Sequence, residues 1–196
     1  MTTATPVATA VTSAGSSVRR TPMTENLPDE LCRNEISFSA DRVPSDRGAM
    51  MIRAATIADA PRLIEMAKAF LLQTRYGDTL RTNPDALEAL VGQVLELGYI
   101  AVADVDGRLE GMLAVVELTN PISGDPYADE LVWWVEPDAR SRSIGPKLLY
   151  SAERWAHGRG LPLIKMVAPV GALAVAQFYR RRGYEPVETS YMKRLL

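Results

Sequence analysis

The stretch WWVEPDARSRSIGPKLLYSAERWA, Trp133 to Ala156, runs from an apolar segment through a basic, serine-rich turn into a helical pattern. Ile144, Leu148, Leu149, Ala152, Trp155 and Ala156 recur at the spacing of one helix face, which predicts a helix with an apolar stripe over 144–160. Pro146 falls in its first turn, where a missing N–H breaks no intrahelical bond. The turn before it, Arg140-Ser141-Arg142-Ser143-Ile144-Gly145, sets two guanidinium groups and a glycine at a helix N-terminus. A helix N-terminus leaves backbone N–H groups without intrahelical partners and carries partial positive charge, so the turn suits a phosphate. Gly145 lets the backbone come close, whereas Ser143 adds a Cβ and offers its hydroxyl as a helix cap.

Outward from this turn the elements are legible by period. ELVWWVE, Glu130–Glu136, reads as the strand that feeds the turn, and its alternation puts Glu130 with Val132 and Trp134 on one face. Upstream, MIRAAT reads as a short strand, and the run 57–74 reads as a helix with Asp59 as N-cap and Pro61 in the first turn. Asn83-Pro84 opens a second helix that Gly98 ends. Tyr99–Val105 and Leu109–Leu118 read as strands joined at Asp106-Gly107, a hairpin signal. Downstream, LPLIKMVA reads as a strand, GALAVAQFYRRRG as a short helix, and Tyr184–Glu188 and Tyr191–Leu195 as closing strands. Hairpins come first and crossovers later. The class is α+β, a single mixed, mostly antiparallel sheet flanked by helices.

Composition narrows the function. With 196 residues, 47% hydrophobic and 23% charged, the chain has the profile of an ordinary globular domain with a tail. A formal net charge of −2 gives no global pull toward nucleic acid or an anionic membrane, and no apolar run reaches the length of a bilayer span. Cys32 is the only cysteine and His157 the only histidine, so neither an internal disulfide nor a metal site is expected. The expected location is cytoplasmic. Residues 1–49, rich in Thr, Ala and Ser and punctuated by prolines, read as a disordered tail, and residues 50–196 as the folded domain. The basic run Arg180-Arg181-Arg182 closes a helix, where cations favour the dipole.

The element order and two motifs resemble the GNAT-type N-acetyltransferase superfamily. Arg140-Ser-Arg142-Ser143-Ile144-Gly145 is similar to its Arg/Gln-x-x-Gly-x-Gly/Ala signature, with Ser143 in place of the first glycine. AVAQFYRRRGYEP is similar to its A-x-x-(F/L)-Y-x-x-x-G-(F/Y) segment, with Ala172 where many members carry asparagine. The resemblance covers residues 51–196. It implies acetyl-CoA as co-substrate, with Arg140, Ser141, Arg142, Ser143, Ile144, Gly145 and Lys147 around the pyrophosphate. It runs the pantetheine arm along the strand carrying Trp134 and Val135. It makes Glu130 the base that takes a proton from the amine, directly or through water, and Tyr179 the acid beside the thioester sulfur. The lone Cys32, in the tail, argues for direct transfer without a covalent enzyme intermediate.

The same resemblance assigns the acceptor to the loops 74–84 and 119–130, where Tyr76, Asp78, Asp125, Tyr127 and Asp129 would form an acidic, aromatic mouth suited to a cationic amine. The expected partner is a small-molecule or peptide amine, and the pattern also admits a homodimer. The departures at Ser143 and Ala172 leave a second reading open, a non-catalytic acyl-CoA-binding or regulatory module.

Overall fold

The computed structural model describes residues 49–195; the tail reading and Cys32 lie outside the described residues. Five strands form one sheet in the order β1 (Met50–Ala54), β2 (Tyr99–Val105), β3 (Arg108–Thr119), β4 (Pro126–Val135) and β5 (Ile164–Lys165). The first three pairings are antiparallel and β4–β5 is parallel, a mixed sheet as expected. Helices α1 (Ala60–Gln73) and α2 (Pro84–Leu97) cover one face. Helices α3 (Ile144–Gly158) and α4 (Leu173–Arg181) cover the other.

Each face has its own core. Leu63, Met66, Val91 and Val94 meet Met112 and Trp134 on the first face, and Ile144, Leu148 and Leu149 meet Ala101, Leu113 and Val115 on the second. Asn83 caps α2 by accepting from the N–H groups of Asp85 and Ala86. At α1, Asp59 holds the cap position but spends its carboxylate on Thr56 and Arg53.

Three expectations need correction. The run 161–168 pairs with β4 only at Ile164 and Lys165, because the carboxylate of Glu130 takes the N–H of Val167 at 2.9 Å where a longer ladder would continue. The segments 184–188 and 191–195 form no strand. Pro186 has no N–H to give a ladder, and Tyr184 and Arg194 tie the segment down by side-chain bonds to Glu153 and the Asp78 carbonyl. Finally, β4 contains a β-bulge. Val132 lies opposite Ala114 but Glu130 lies opposite Val115, so Leu131 is the extra residue. An extra residue inverts the alternation beyond it. Glu130 therefore faces α3 and α4 with Trp133 and Val135, opposite to the face carrying Val132 and Trp134.

Arg53 joins three elements. Its guanidinium bonds Asp59 at 2.8 Å and Asp104 at 3.0 Å, tying β1 to the entry of α1 and to β2. The bond from Arg53 holds the Asp59 carboxyl down at about 2, well below the ordinary carboxylate value, against the opposing cost of burial. A carboxyl with a depressed folded-state value adds stability above about pH 4 that is lost as pH falls toward 2. Asp59→Asn should lower the unfolding free energy at pH 7 by about 1–3 kcal/mol. The deficit relative to wild type should shrink between pH 4 and pH 2, measured by urea unfolding across that range.

Candidate active site

The residues between β4 and α3 form a turn that leads into the N-terminus of α3. Pro137–Arg142 form a 3-10 turn, and Ser143 then adopts φ 57° and ψ 26°, the left-handed conformation, before α3 begins. A helical residue followed by a left-handed one turns successive N–H groups to the same side, an arrangement that cradles anions. The first-turn amides of α3 lie next to it, less the one that Pro146 lacks. The Ser143 hydroxyl makes no cap bond, so the serine acts here through its backbone. Ser141, Arg142 and Lys147 are exposed around this turn, while Ile144 is fully buried and anchors it.

Gly145 is needed for packing. A Cβ there would stand 3.2 Å from Cζ2 of Trp133, so the first turn of α3 rests directly on that indole. Gly111 on β3 serves the same helix, since a Cβ there would meet the side chains of Ile144 and Leu148 at 3.1 and 3.3 Å.

Arg140 is placed elsewhere. Its guanidinium lies over the Trp134 ring at 5.2 Å and donates to the Val135 carbonyl and to Gln73 of α1, each at 3.1 Å. Trp134 itself is buried against α1 and α2. Val135 is the last β4 residue, beyond the point where β5 stops pairing. From Glu130 to Val135 the β5-facing edge of β4 has no ladder partner, so the two strands part there.

Glu130 and Tyr179 meet where the two strands part. The Tyr179 hydroxyl stands 3.3 Å from the Val167 carbonyl, to which it donates, and 3.5 Å from Oε2 of Glu130, a long and weak approach. Tyr179 is buried, ringed by Trp133 at 5.8 Å, Phe178 at 6.0 Å and Tyr184 at 5.3 Å between centroids. Burial pushes the Glu130 carboxyl up to about 7, outweighing the N–H of Val167 and the Tyr179 hydroxyl, which favour the ionised form. Burial, with the Glu130 charge beside it, also pushes the Tyr179 phenol well above its ordinary value.

The acceptor residues divide into two groups. Tyr76 and Asp78 sit in the turn after α1, where Arg194 donates to the Asp78 carbonyl. Asp125 is exposed in the loop before β4. Tyr127 belongs to β4 itself, opposite Leu118, and not to the loop. Lys165, which the sequence reading passed over, sits among the acids. Its ammonium lies 3.2 Å from Asp129, 3.9 Å from Glu188 and 5.8 Å from the Tyr127 ring centre. Parallel pairing of Asp129 with Lys165 across β4 and β5 produces this ion pair, and no local motif marks it. Among the described residues no cluster of His, Cys, Asp or Glu is arranged to hold a metal ion.

A mixed sheet that opens between two parallel strands, above a helix N-terminus with a left-handed lead-in, defines an acyltransferase-like architecture. The model of the acetyltransferase (GNAT) family matches residues 63–184, and the chain belongs to that family. No protein of curated function matches the sequence. Among solved structures, the aminoglycoside N-acetyltransferase AAC(6')-Iy in complex with CoA superposes with a TM-score of 0.63 at 18% identity, over 78% of this chain and 98% of that one. A predicted acetyltransferase from Clostridium acetobutylicum, solved with acetyl-CoA, gives 0.61 at 18% identity, over 75% and 97%. The ribosomal-protein-alanine N-acetyltransferase from Brucella melitensis biovar Abortus 2308 gives 0.59 at 20%, over 75% and 99%. At these identities the likeness is one of fold.

The left-handed Ser143 generates a direct expectation. A non-glycine residue in that region costs roughly 1–2 kcal/mol, and glycine returns roughly half of this through its freer unfolded chain. Ser143→Gly should therefore raise stability by about 0.5–1 kcal/mol, seen as a higher midpoint in thermal or urea unfolding. Ser143→Ala should give no such gain.

Proposed function

We propose that this protein is an acetyl-CoA-dependent N-acetyltransferase that moves an acetyl group directly to a primary amine of a small molecule or peptide. The observation that carries the reading is the pair Glu130 and Tyr179 where β4 and β5 part, with the Ser143 cradle beyond the end of β4. The residues present fit acetyl-CoA: the cradle amides with Arg142 and Lys147 suit its pyrophosphate, and the open edge of β4 through Trp134 and Val135 suits its amide-rich arm. The co-substrate supplies the acetyl group as a thioester.

The protein's own groups supply proton control. An amine attacks only when it has lost its proton, and a carboxylate with a value of about 7 is matched to taking it near neutral pH. Tyr179, its value raised, stays protonated and can give its proton to the departing thiolate. Cationic acceptors are favoured by Asp125 and by the acidic excess of Asp129 and Glu188 over Lys165, with Tyr76 and Tyr127 as aromatic surface. The solved neighbours named for aminoglycosides and for ribosomal-protein alanine lend support to an amine acceptor of either kind.

The test is release of free CoA by the full-length chain supplied with acetyl-CoA and a panel of aminoglycosides, polyamines and N-terminal peptides. No turnover with any amine, at cofactor levels that saturate binding, would overturn the reading. With an accepted amine, Glu130→Gln and Tyr179→Phe should each lower kcat by roughly 10²–10⁴-fold. Because Glu130 must be ionised to act, the wild-type rate should rise with pH through about 7 and then level. In Glu130→Gln that rise should be gone, measured as kcat/KM between pH 5.5 and 8.5.

A further inference from the structure

The chain leaving α4 folds back onto Tyr179. Gly183 takes φ 83°, and its turn brings the N–H of Gly183 to the Arg180 carbonyl at 3.1 Å and the N–H of Tyr184 to the Tyr179 carbonyl at 3.0 Å. The Tyr184 ring then lies 5.3 Å from the Tyr179 ring between centroids, nearer than Trp133 or Phe178. The two residues that flank Gly183 both reach one carboxylate of α3. Oε1 of Glu153 accepts from the Tyr184 hydroxyl at 3.0 Å, and Oε2 accepts from Nη2 of Arg182 at 2.5 Å. Arg182, the last of the basic run 180–182, thus has a specific partner rather than only a helix end to favour. The Glu153 side chain is 25% exposed, so solvent screens the clamp less than it screens an open surface pair.

Tyr179 has no comparable hold of its own. Its hydroxyl has only the Val167 carbonyl at 3.3 Å and Glu130 at 3.5 Å, both long, so the ring's neighbours decide where the phenol points. We propose that Tyr184 and Glu153 are positioning residues, which hold the Tyr179 phenol in place for proton transfer without touching substrate themselves. This rests on the acetyltransferase reading above, in which Tyr179 gives its proton to the departing thiolate. Glu153 fixes the Tyr184 hydroxyl, Arg182 fixes the second oxygen of Glu153, and the Tyr184 ring passes that constraint to Tyr179. Proton transfer needs the donor within hydrogen-bond reach of the reacting atom, and a misplacement of about 1 Å is worth roughly 10²-fold in rate.

Tyr184→Phe keeps the ring and frees it from Glu153. In the full-length chain with an accepted amine, kcat should fall about tenfold while KM for acetyl-CoA stays within about twofold of wild type, the pattern of an interaction felt only in the transition state. In a Tyr179→Phe background the same change should cost less than about twofold, because the group it positions is gone. A residue that only supports the fold would lower kcat equally in both backgrounds. Glu153→Ala should reproduce the loss, and Glu153→Gln, whose amide oxygen still accepts from Tyr184, should recover most of it. A second measurement needs no substrate. In protein with ring-labelled tyrosine, the Tyr179 resonances, assigned through Tyr179→Phe, should shift in Glu153→Ala and keep their wild-type positions in Glu153→Gln. Glu153 itself has no hydrogen bond to Tyr179, so that shift must pass through Tyr184. Wild-type kcat in Tyr184→Phe, equal losses in both backgrounds, or unmoved Tyr179 resonances in Glu153→Ala overturn the positioning role while leaving the acetyltransferase reading intact. Wild-type kcat in Tyr179→Phe, or no turnover of any amine by the wild-type chain, overturns that reading and this inference together.

Discussion

Everything at the candidate site follows from how β4 leaves its neighbours. On one side it stays bonded to β3 but carries Leu131 as an extra residue; on the other it parts from β5 after Asp129. The bulge decides which way Glu130 points, and the parting leaves the edge of β4 beside it unpaired. With regular alternation Glu130 would lie with Val132 and Trp134 under α1 and α2, and Tyr179 would meet no carboxylate. The two irregularities also depend on each other. Once Glu130 faces β5, its carboxylate competes for the Val167 N–H, and a charge-assisted bond replaces the ladder bond that would have closed the gap.

The same geometry sets the electrostatics. Glu130 is partly buried on a face made of Trp133, Phe178, Tyr179 and Tyr184, and the two donors it has do not offset the hydration it loses. Desolvation wins, and the group settles near 7. The consequence for folding is unfavourable. A carboxyl whose folded value lies above its unfolded value of 4.5 holds its proton more tightly when folded, so stability falls as pH rises from about 4.5 to 7. Asp129, next in sequence but on the other face, pairs instead with Lys165 at 3.2 Å. Adjacent carboxylates thus meet different surroundings, one an ion pair with Lys165 and one an aromatic face, because a strand turns successive side chains to opposite sides.

Much of the fold was legible because its signals are local. Asp106-Gly107 marks the β2–β3 hairpin, Asn83-Pro84 starts α2, and the stripe from Ile144 to Ala156 marks the helix that covers the second core. Tyr179 and Glu130 were legible as a pair only through their resemblance to the family's motifs. The bulge was not legible, since Leu131 is neither glycine nor proline and its neighbours alternate acceptably in either register. The end of the sheet was hidden for a related reason: LPLIKMVA has strand composition throughout, and a side chain from another strand stops its pairing at Lys165. Arg140 reads as a phosphate ligand by position, yet its guanidinium finds the Trp134 face and the end of α1, contacts set by tertiary packing.

The serine at the cradle shows how backbone and side chain contribute separately. The expectation from the sequence was steric, a Cβ in the way of an anion, with the hydroxyl diverted to capping. In the fold the hydroxyl makes no cap bond, and the backbone at Ser143 adopts the left-handed turn that glycine would favour. Such a conformation persists in a serine only where the surroundings enforce it. They do so here from both sides, with Ala139 buried in the 3-10 turn before it and Ile144 fully buried after it. Gly145, by contrast, is fixed by contact, because Trp133 occupies the space its side chain would need. Position 143 therefore tolerates a side chain at a conformational cost, while position 145 is constrained by the indole beneath it.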